Sequence, residues 1–258
     1  MRPPKISVVI PSFNKARYIE KTLGSVVNQK YSDFEVFIQD GGSTDGTLQI
    51  IKKYAKKYPK VIKFESKKDK GQLDAINKGM RKANGEILTY INADDIFLPG
   101  AFNEISRLYL TDSDSLWFAG KGKVINSSGK EIAKLVTQYK NLLLLINSKH
   151  FLMMVNYLMQ PSVFITKKAW KKFGPFRGTL DFVTEYDLWL KIANHKMPAV
   201  SGDYLSSFRI ESSTITKKSY KALLAEDQKI VNRYTPSRTL LWLHKLHNFA
   251  RTVIGGYV

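Results

Sequence analysis

Residues 86–100 read EILTYINADDIFLPG: an apolar run closes on two adjacent acids, Asp94 and Asp95, and the chain then turns at Pro99-Gly100. Neighbouring carboxylates at the end of a buried segment repel one another unless something cationic lies between them. Mg2+ and Mn2+ are hard ions that take oxygen ligands, and they commonly use one or two carboxylates together with the phosphates of a substrate. The pair therefore suits a metal-diphosphate site. Alone it is weak evidence, because acids also favour turns and helix amino ends for ordinary reasons of solvation.

A second constellation is IQDGGSTDGT, residues 38–47. Gly41, Gly42 and Gly46 allow tight backbone turns, and Ser43, Thr44 or Asp45 can cap a following helix whose positive end suits an anion. Asp40 stands where it could accept hydrogen bonds from a ligand edge, such as the imide of a pyrimidine base. An ordinary glycine-rich strand-to-helix connection would look similar locally. No Lys-Ser or Lys-Thr follows Gly46, so the loop is not a Walker P-loop, and GKGKVIN at Gly120 does not complete a dinucleotide fingerprint.

The elements that must position these residues follow from two alternating periodicities. Short apolar, β-branched runs at 6–10, 34–39, 61–64 and 86–91 read as strands, and apolar residues at helical spacing mark helices over 18–27, 48–58 and 73–83. Strand-helix alternation of this kind predicts an open α/β, mostly parallel central sheet with helices on both faces. Ligands of such sheets bind beyond the carboxyl ends of the strands, at 11–14, 40–45, 65–72 and 92–95 here, all of them polar segments. After Pro99 the pattern predicts a helix over 101–110, strands near 115–119, 123–126 and 131–136, a helix over 141–157, a strand at 162–166, and helices over 169–173, 185–194 and 216–234. A last segment, TLLWLHKLHNFARTVIGGYV, opens after Pro236.

Five segments, VVIPSFNKARYIEKTLGSVVNQ, EVFIQDGGSTDGT, DKGQLDAINKGMRKANGEI, INADD and EYDLWLKI, stand in the order and spacing of family 2 glycosyltransferases of the GT-A fold. The resemblance covers about residues 5–210. It implies a GT-A, Rossmann-like catalytic domain over 1–212, with a donor-binding half (1–98), an acceptor-binding half (99–212) and a helical extension over 213–258. It implies that Pro11 and Phe13 flank the nucleotide base, with Asn14 in the same loop, and that Asp40 hydrogen-bonds the base. Asp94 would lie near ribose and metal, and Asp95 would coordinate the divalent ion, Mn2+ or Mg2+, on the diphosphate. Gly41 continues the base loop, while Lys70, Gly71, Gln72 and Asp74 match the loop and helix beside the donor. Glu185 matches the catalytic base, where many relatives have Asp, and Asp187 is the competing acid. Gln160 matches a segment that lines the acceptor side.

The implied activity is an inverting transfer of sugar from a nucleotide-diphosphate donor to an acceptor hydroxyl, in bacterial surface-polysaccharide or glycoconjugate assembly on a saccharide or lipid-linked saccharide acceptor. A sugar nucleotidyltransferase would instead carry its glycine-rich loop directly after the first strand. A non-catalytic nucleic-acid-binding module would draw on the charge excess, 41 Lys plus Arg against 22 Asp plus Glu and a net +19, but would leave the acids unexplained. The charge fits an anionic membrane surface without invoking nucleic acid. The chain has no cysteine, which excludes disulfides, thiolate metal sites and a cysteine nucleophile. Its longest apolar region, 141–159, is interrupted by Asn147, Ser148, Lys149 and His150, and the first apolar run is too short for a signal peptide. The expectation is a cytoplasmic protein, either free or peripheral on the inner face of the membrane; Trp242, Leu246, Phe249, Ala250 and Val253 fall at helical spacing near Arg238, Lys245 and Arg251, and this segment either meets an anionic interface or packs against the catalytic domain or a second subunit.

Overall fold

The computed structural model describes residues 2–177, 184–210 and 217–253. Four parallel strands form the first half of the sheet: β1 (Ile6–Ser12), β2 (Phe34–Asp40), β3 (Ile62–Ser66) and β4 (Ile87–Tyr90). Helices α1 (Ile19–Val27), α2 (Thr47–Lys57) and α3 (Gln72–Lys82) connect them. Every residue of β1 is buried, and its side chains divide between two cores as the pleat dictates. Val9 faces a cluster that includes Ile76 and Met80 of α3, while Val8 and Ile10 face another that includes Ile19 and Leu23 of α1. Gly79 brings α3 close to the sheet: a Cβ there would lie 2.4 Å from Val9 Cγ1.

The second half is mixed in direction. β5 (Ile96–Phe97), α4 (Ala101–Thr111), β6 (Trp117–Ile125) and β7 (Glu131–Ile132) precede helices α5 (Lys134–Ile146) and α6 (Lys149–Met154). A single 3-10 turn, Gln160–Ser162, leads into β8 (Val163–Thr166), followed by α7 (Lys167–Phe173), α8 (Thr184–Ala193), β9 (Ala199–Arg209), α9 (Lys217–Asn232) and α10 (Arg238–Val253). The strand order is β3-β2-β1-β4-β8-β6-β9-β5, with β7 on β6. β8 joins the two halves, pairing antiparallel with both β4 and β6.

Three expectations for this half change. The strands expected at 115–119 and 123–126 are one strand, β6, whose pairing with β9 shifts register around Lys121. Gly120 and Gly122 allow this close approach, since a Cβ on Gly120 would meet Leu205 Cδ1 at 2.3 Å. The strand expected over 131–136 stops at Ile132, because Ala133 takes a positive φ of 51° and α5 begins at the next residue. The helix expected over 141–157 is two helices, broken where Asn147 adopts φ 53° and donates its side-chain amide to the Pro198 carbonyl. β9 was not anticipated; its polar alternation, AVSGDYLSSFR, hides a strand that receives two neighbours.

The carboxyl-terminal helices share the sheet's core. Ile230, Val231 and Leu240 lie in the same buried cluster as Tyr186 and Trp189 of α8 and Met80 of α3.

Candidate active site

The loops after β1 and β2 are stitched together by their own polar groups. Asn14, in the left-handed region at φ 51°, donates its backbone N–H to Ser43 Oγ at 2.9 Å and accepts the Thr44 N–H at 2.9 Å through Oδ1. Asp45 accepts the Ala16 N–H at 3.0 Å and the Thr47 N–H at 3.1 Å, tying the two loops to the start of α2, whose N-cap position is Gly46. Asp40, 2% exposed, accepts from Ser43 Oγ at 2.5 Å, Ser66 Oγ at 2.6 Å, and the Ser43 and Gly42 N–H groups at 3.0 and 3.2 Å. Its first task is therefore to shape the glycine loop. Gly41 lies against the Asp69 carboxylate, 3.1 Å from where a Cβ would stand. Beside them Pro11 is buried, whereas Phe13 is 60% exposed and offers a free aromatic face at the mouth of the cleft.

The loop before α3 is ordered from within. Gly71 has φ 106°, which suits glycine alone, and its N–H is bonded to Asp69 at 2.9 Å. Asp74 accepts the Lys70 N–H at 3.2 Å and pairs with Lys78 at 2.7 Å, while the Lys70 side chain is exposed. Gln72 reaches across the cleft to Asn92 Oδ1 at 2.5 Å, and Asn92 Nδ2 donates onward to Asp95 Oδ2 at 3.2 Å.

The two acids of INADD differ sharply in surroundings. Asp95 is fully buried; its Oδ1 accepts the Arg209 backbone N–H at 2.7 Å, and its carbonyl accepts Thr22 Oγ1 at 2.7 Å. Burial, reinforced by the neighbouring Asp94 charge, pushes the Asp95 carboxyl well above the usual carboxylate range. Asp94 faces the cleft, where Lys15 Nζ lies 2.5 Å from Oδ2. Arg209 fixes the pair from behind: Nε donates to the Asp94 carbonyl at 2.8 Å, another nitrogen donates to the Asn126 carbonyl at 2.7 Å, and the guanidinium lies over the Tyr18 ring.

A divalent ion fits this donor set. Burial and the adjacent Asp94 charge leave Asp95 in need of a cation, and Asp94 adds carboxylate oxygens beside it, while Asn92 turns its amide nitrogen to Asp95 and its oxygen to Gln72. Among the described residues no group of three or more His, Cys, Asp or Glu could cage a metal by itself.

The acids from the acceptor side separate in role. Glu185, in the first turn of α8, accepts a hydrogen bond from Tyr90 Oη at 3.2 Å, and its burial raises the carboxyl to about 7. Tyr90 ends β4, four residues before Asp94, and its carbonyl accepts Gln160 Nε2 at 2.8 Å. Asp187 points elsewhere: it accepts Tyr234 Oη at 2.7 Å, pairs with Lys191 at 2.5 Å, and lies 3.6 Å from Arg233. It fastens α8 to the end of α9. Tyr90, Arg209, Lys15 and Asn92 were not singled out from sequence. For Arg209 and Lys15 no local signal exists, whereas Asn92 adjoins the acidic motif and could have been included.

Residues 7–155 match the family model "Glycosyl transferase family 2", more than half of the chain, and the chain belongs to that family. Over 196 residues it is 28% identical to a chondroitin synthase of Escherichia coli, covering 74% of this chain and 27% of that protein. It is 32% identical over 105 residues to the GalNAc(5)-diNAcBac-PP-undecaprenol beta-1,3-glucosyltransferase of Campylobacter jejuni, covering 40% and 34%. The solved mannosyltransferase PcManGT of Pyrobaculum calidifontis, in complex with GDP-Man and Mn2+, superposes with a TM-score of 0.69 at 18% identity, over 97% of this chain and 70% of that one. The fold is thus the GT-A fold. The chain spans less than half the length of the curated relatives it matches.

Proposed function

We propose that this protein transfers a glycosyl group from a nucleotide-diphosphate sugar to an acceptor hydroxyl, with inversion at the anomeric carbon. The observation that carries the reading is the Tyr90–Glu185 hydrogen bond, which joins an acid of raised pKa to the end of β4, four residues before Asp94. A carboxyl near 7 is well matched to taking a hydroxyl proton at neutral pH. Glu185 takes that proton, the acceptor oxygen forms the new bond to the anomeric carbon, and the bond to the diphosphate oxygen breaks, its electron pair leaving with the nucleotide diphosphate. Tyr90 holds the Glu185 carboxylate in place by its hydroxyl. Asp187, committed to Tyr234 and Lys191, serves the position of α8 and not the proton transfer.

The donor half, 1–98, holds the nucleotide. Phe13 and Pro11 supply faces for the base and Asn14, Asp40 and Gly41 shape its loop, while Gly71, Gln72, Asp74 and Lys70 border the donor. Asp94 and Asp95 would hold Mn2+ or Mg2+, which when bound neutralises charge developing on the leaving diphosphate. The acceptor half, 99–212, brings Glu185 and Gln160.

A saccharide carried on a lipid diphosphate, used at the inner face of a bacterial membrane during surface-polysaccharide or glycoconjugate assembly, is the acceptor we infer. Support comes from the undecaprenol-linked substrate in the name of the Campylobacter relative and from the positive charge of this chain. No helix among the described residues is long and apolar enough to cross a membrane.

A thermal-shift screen of uridine, guanosine and thymidine diphosphates with and without Mn2+ tests the donor site. One of them is expected to raise the melting temperature only when metal is present, and at about 100 times its Kd the stabilisation should reach about 2.7 kcal/mol. A flat response to all of them, with and without metal, would refute the reading.

A further inference from the structure

Helices α5 and α10 each bury one face and leave an apolar one open. On α5 the exposed residues Leu135, Tyr139, Leu142 and Ile146 follow one another at spacings of four, three and four, a single stripe along the helix. On α10, Trp242, Leu246 and Phe249 repeat the pattern, with Trp242 60% and Phe249 65% exposed, while Leu240, His244 and Asn248 turn inward. The stripes border one another, because the Tyr139 ring lies 6.4 Å from His247 of α10. Apolar side chains exposed in stripes, and not scattered singly, mark a candidate binding face.

Charge indicates what covers it. No Asp or Glu occurs in 132–180 or in 228–258, so both helices are free of acids, while Lys134, Arg238 and Lys245 stand exposed on them. Trp and Tyr with aliphatic residues, flanked by cations and free of acids, match the headgroup boundary of an anionic bilayer. A second copy of this chain would bring cations against cations. The same face is tied to the element that carries the candidate base: His244 of α10 meets the Met154 carbonyl at the end of α6 at 3.1 Å, and Tyr186 of α8, next to Glu185, donates its hydroxyl to the Leu152 carbonyl of α6 at 2.8 Å.

We propose that α5 and α10 together form a membrane-docking face that seats on anionic phospholipid and presents the Glu185 end of the cleft to a membrane-borne acceptor. The docking itself follows from the exposed helices alone; only the orientation toward an acceptor rests on the transferase reading.

Co-sedimentation of the full chain with phosphatidylcholine vesicles, with and without phosphatidylglycerol, tests it. Binding is expected only with the anionic lipid, and to weaken steeply with salt. The triple variant Leu142→Ala, Trp242→Ala, Phe249→Ala should bind about tenfold more weakly, and so should the pair Arg238→Glu, Lys245→Glu. Both variants should keep the nucleotide-diphosphate thermal shift of the parent, which certifies folding. Vesicle binding unchanged in both variants, no binding by the parent, or a stable dimer that the triple variant dissociates would each overturn the proposal. Loss of every nucleotide response with vesicle binding intact would instead sink the transferase reading and leave the docking face standing.

Discussion

At the scale of residues, two carboxyls carry charge in surroundings that resist it, and each makes a distinct prediction. Glu185 binds its proton up to about pH 7 in the native state, whereas an unfolded chain releases it near 4.5. The native state thus holds the extra proton between those values, so the group's contribution to stability falls as pH rises through that window. Glu185→Gln should remove the loss, raising stability above pH 7 by up to about 3 kcal/mol, while turnover drops about 100-fold to 10,000-fold. Calorimetry across pH paired with single-turnover rates would check both, and full activity in the variant would exclude the base role. Asp95→Asn keeps an acceptor for the Arg209 N–H yet removes buried charge, so it should stabilise the metal-free protein and abolish the metal-dependent nucleotide shift. Asp94→Asn, at the less deeply buried position paired with Lys15, should weaken that shift less. Equal loss in the two would show that the acids share the ion evenly.

At the scale of elements, the cleft depends on how α3 and α8 are held. Gly79→Ala would press a methyl into Val9 on the rigid central strand and should cost about 1–3 kcal/mol, measurable by denaturant midpoint. An unchanged midpoint would mean that α3 can withdraw from the sheet freely. Asp187→Ala should remove the shorter of the two acceptors of the Tyr234 hydroxyl, leaving the main-chain carbonyl of the same residue at 3.0 Å, and deprive Lys191 and Arg233 of their carboxylate, at a cost of about 1 kcal/mol. Because Asp187 sits away from the reacting groups, activity measured well below the melting temperature should survive far better than in Glu185→Gln. The strand-helix order of the first half was legible because β1, β2 and β4 are buried along nearly their whole length around apolar, β-branched residues, whereas β3, in which Ile62 is the buried residue, follows from its place in the alternation. β9 was illegible because its alternating pattern contains Ser and Asp, and its pairing with β6 is fixed by the glycines of the partner strand. The break between α5 and α6 was signalled by Asn147, whose side chain tolerates positive φ, but only the contact with Pro198 makes it a bend.

At the scale of the molecule, one sheet carries two cores, and α9 and α10 close the one beneath the cleft. Removing residues 217–258 would uncover the Tyr186 and Trp189 side that Ile230, Val231 and Leu240 bury, so the shortened chain should lose its cooperative thermal transition. A sharp calorimetric transition in that chain would show that the helices are a dispensable appendage. The sequence by itself determined the alternation of the first half, the glycine loops after the strands, the candidate acids and the family they resemble, because these depend on local periodicity and on residue types a few positions apart. Tertiary structure alone decided that Asp95 is fully buried and Asp94 only partly so, that Arg209 clamps them from 114 residues away, and that Tyr90 meets Glu185 across 95 residues. It also decided that Asp187 faces α9. The physical reason is that a carboxylate's behaviour is set by its solvation and by the charges and donors around it, and those neighbours come from strands and helices distant in the chain.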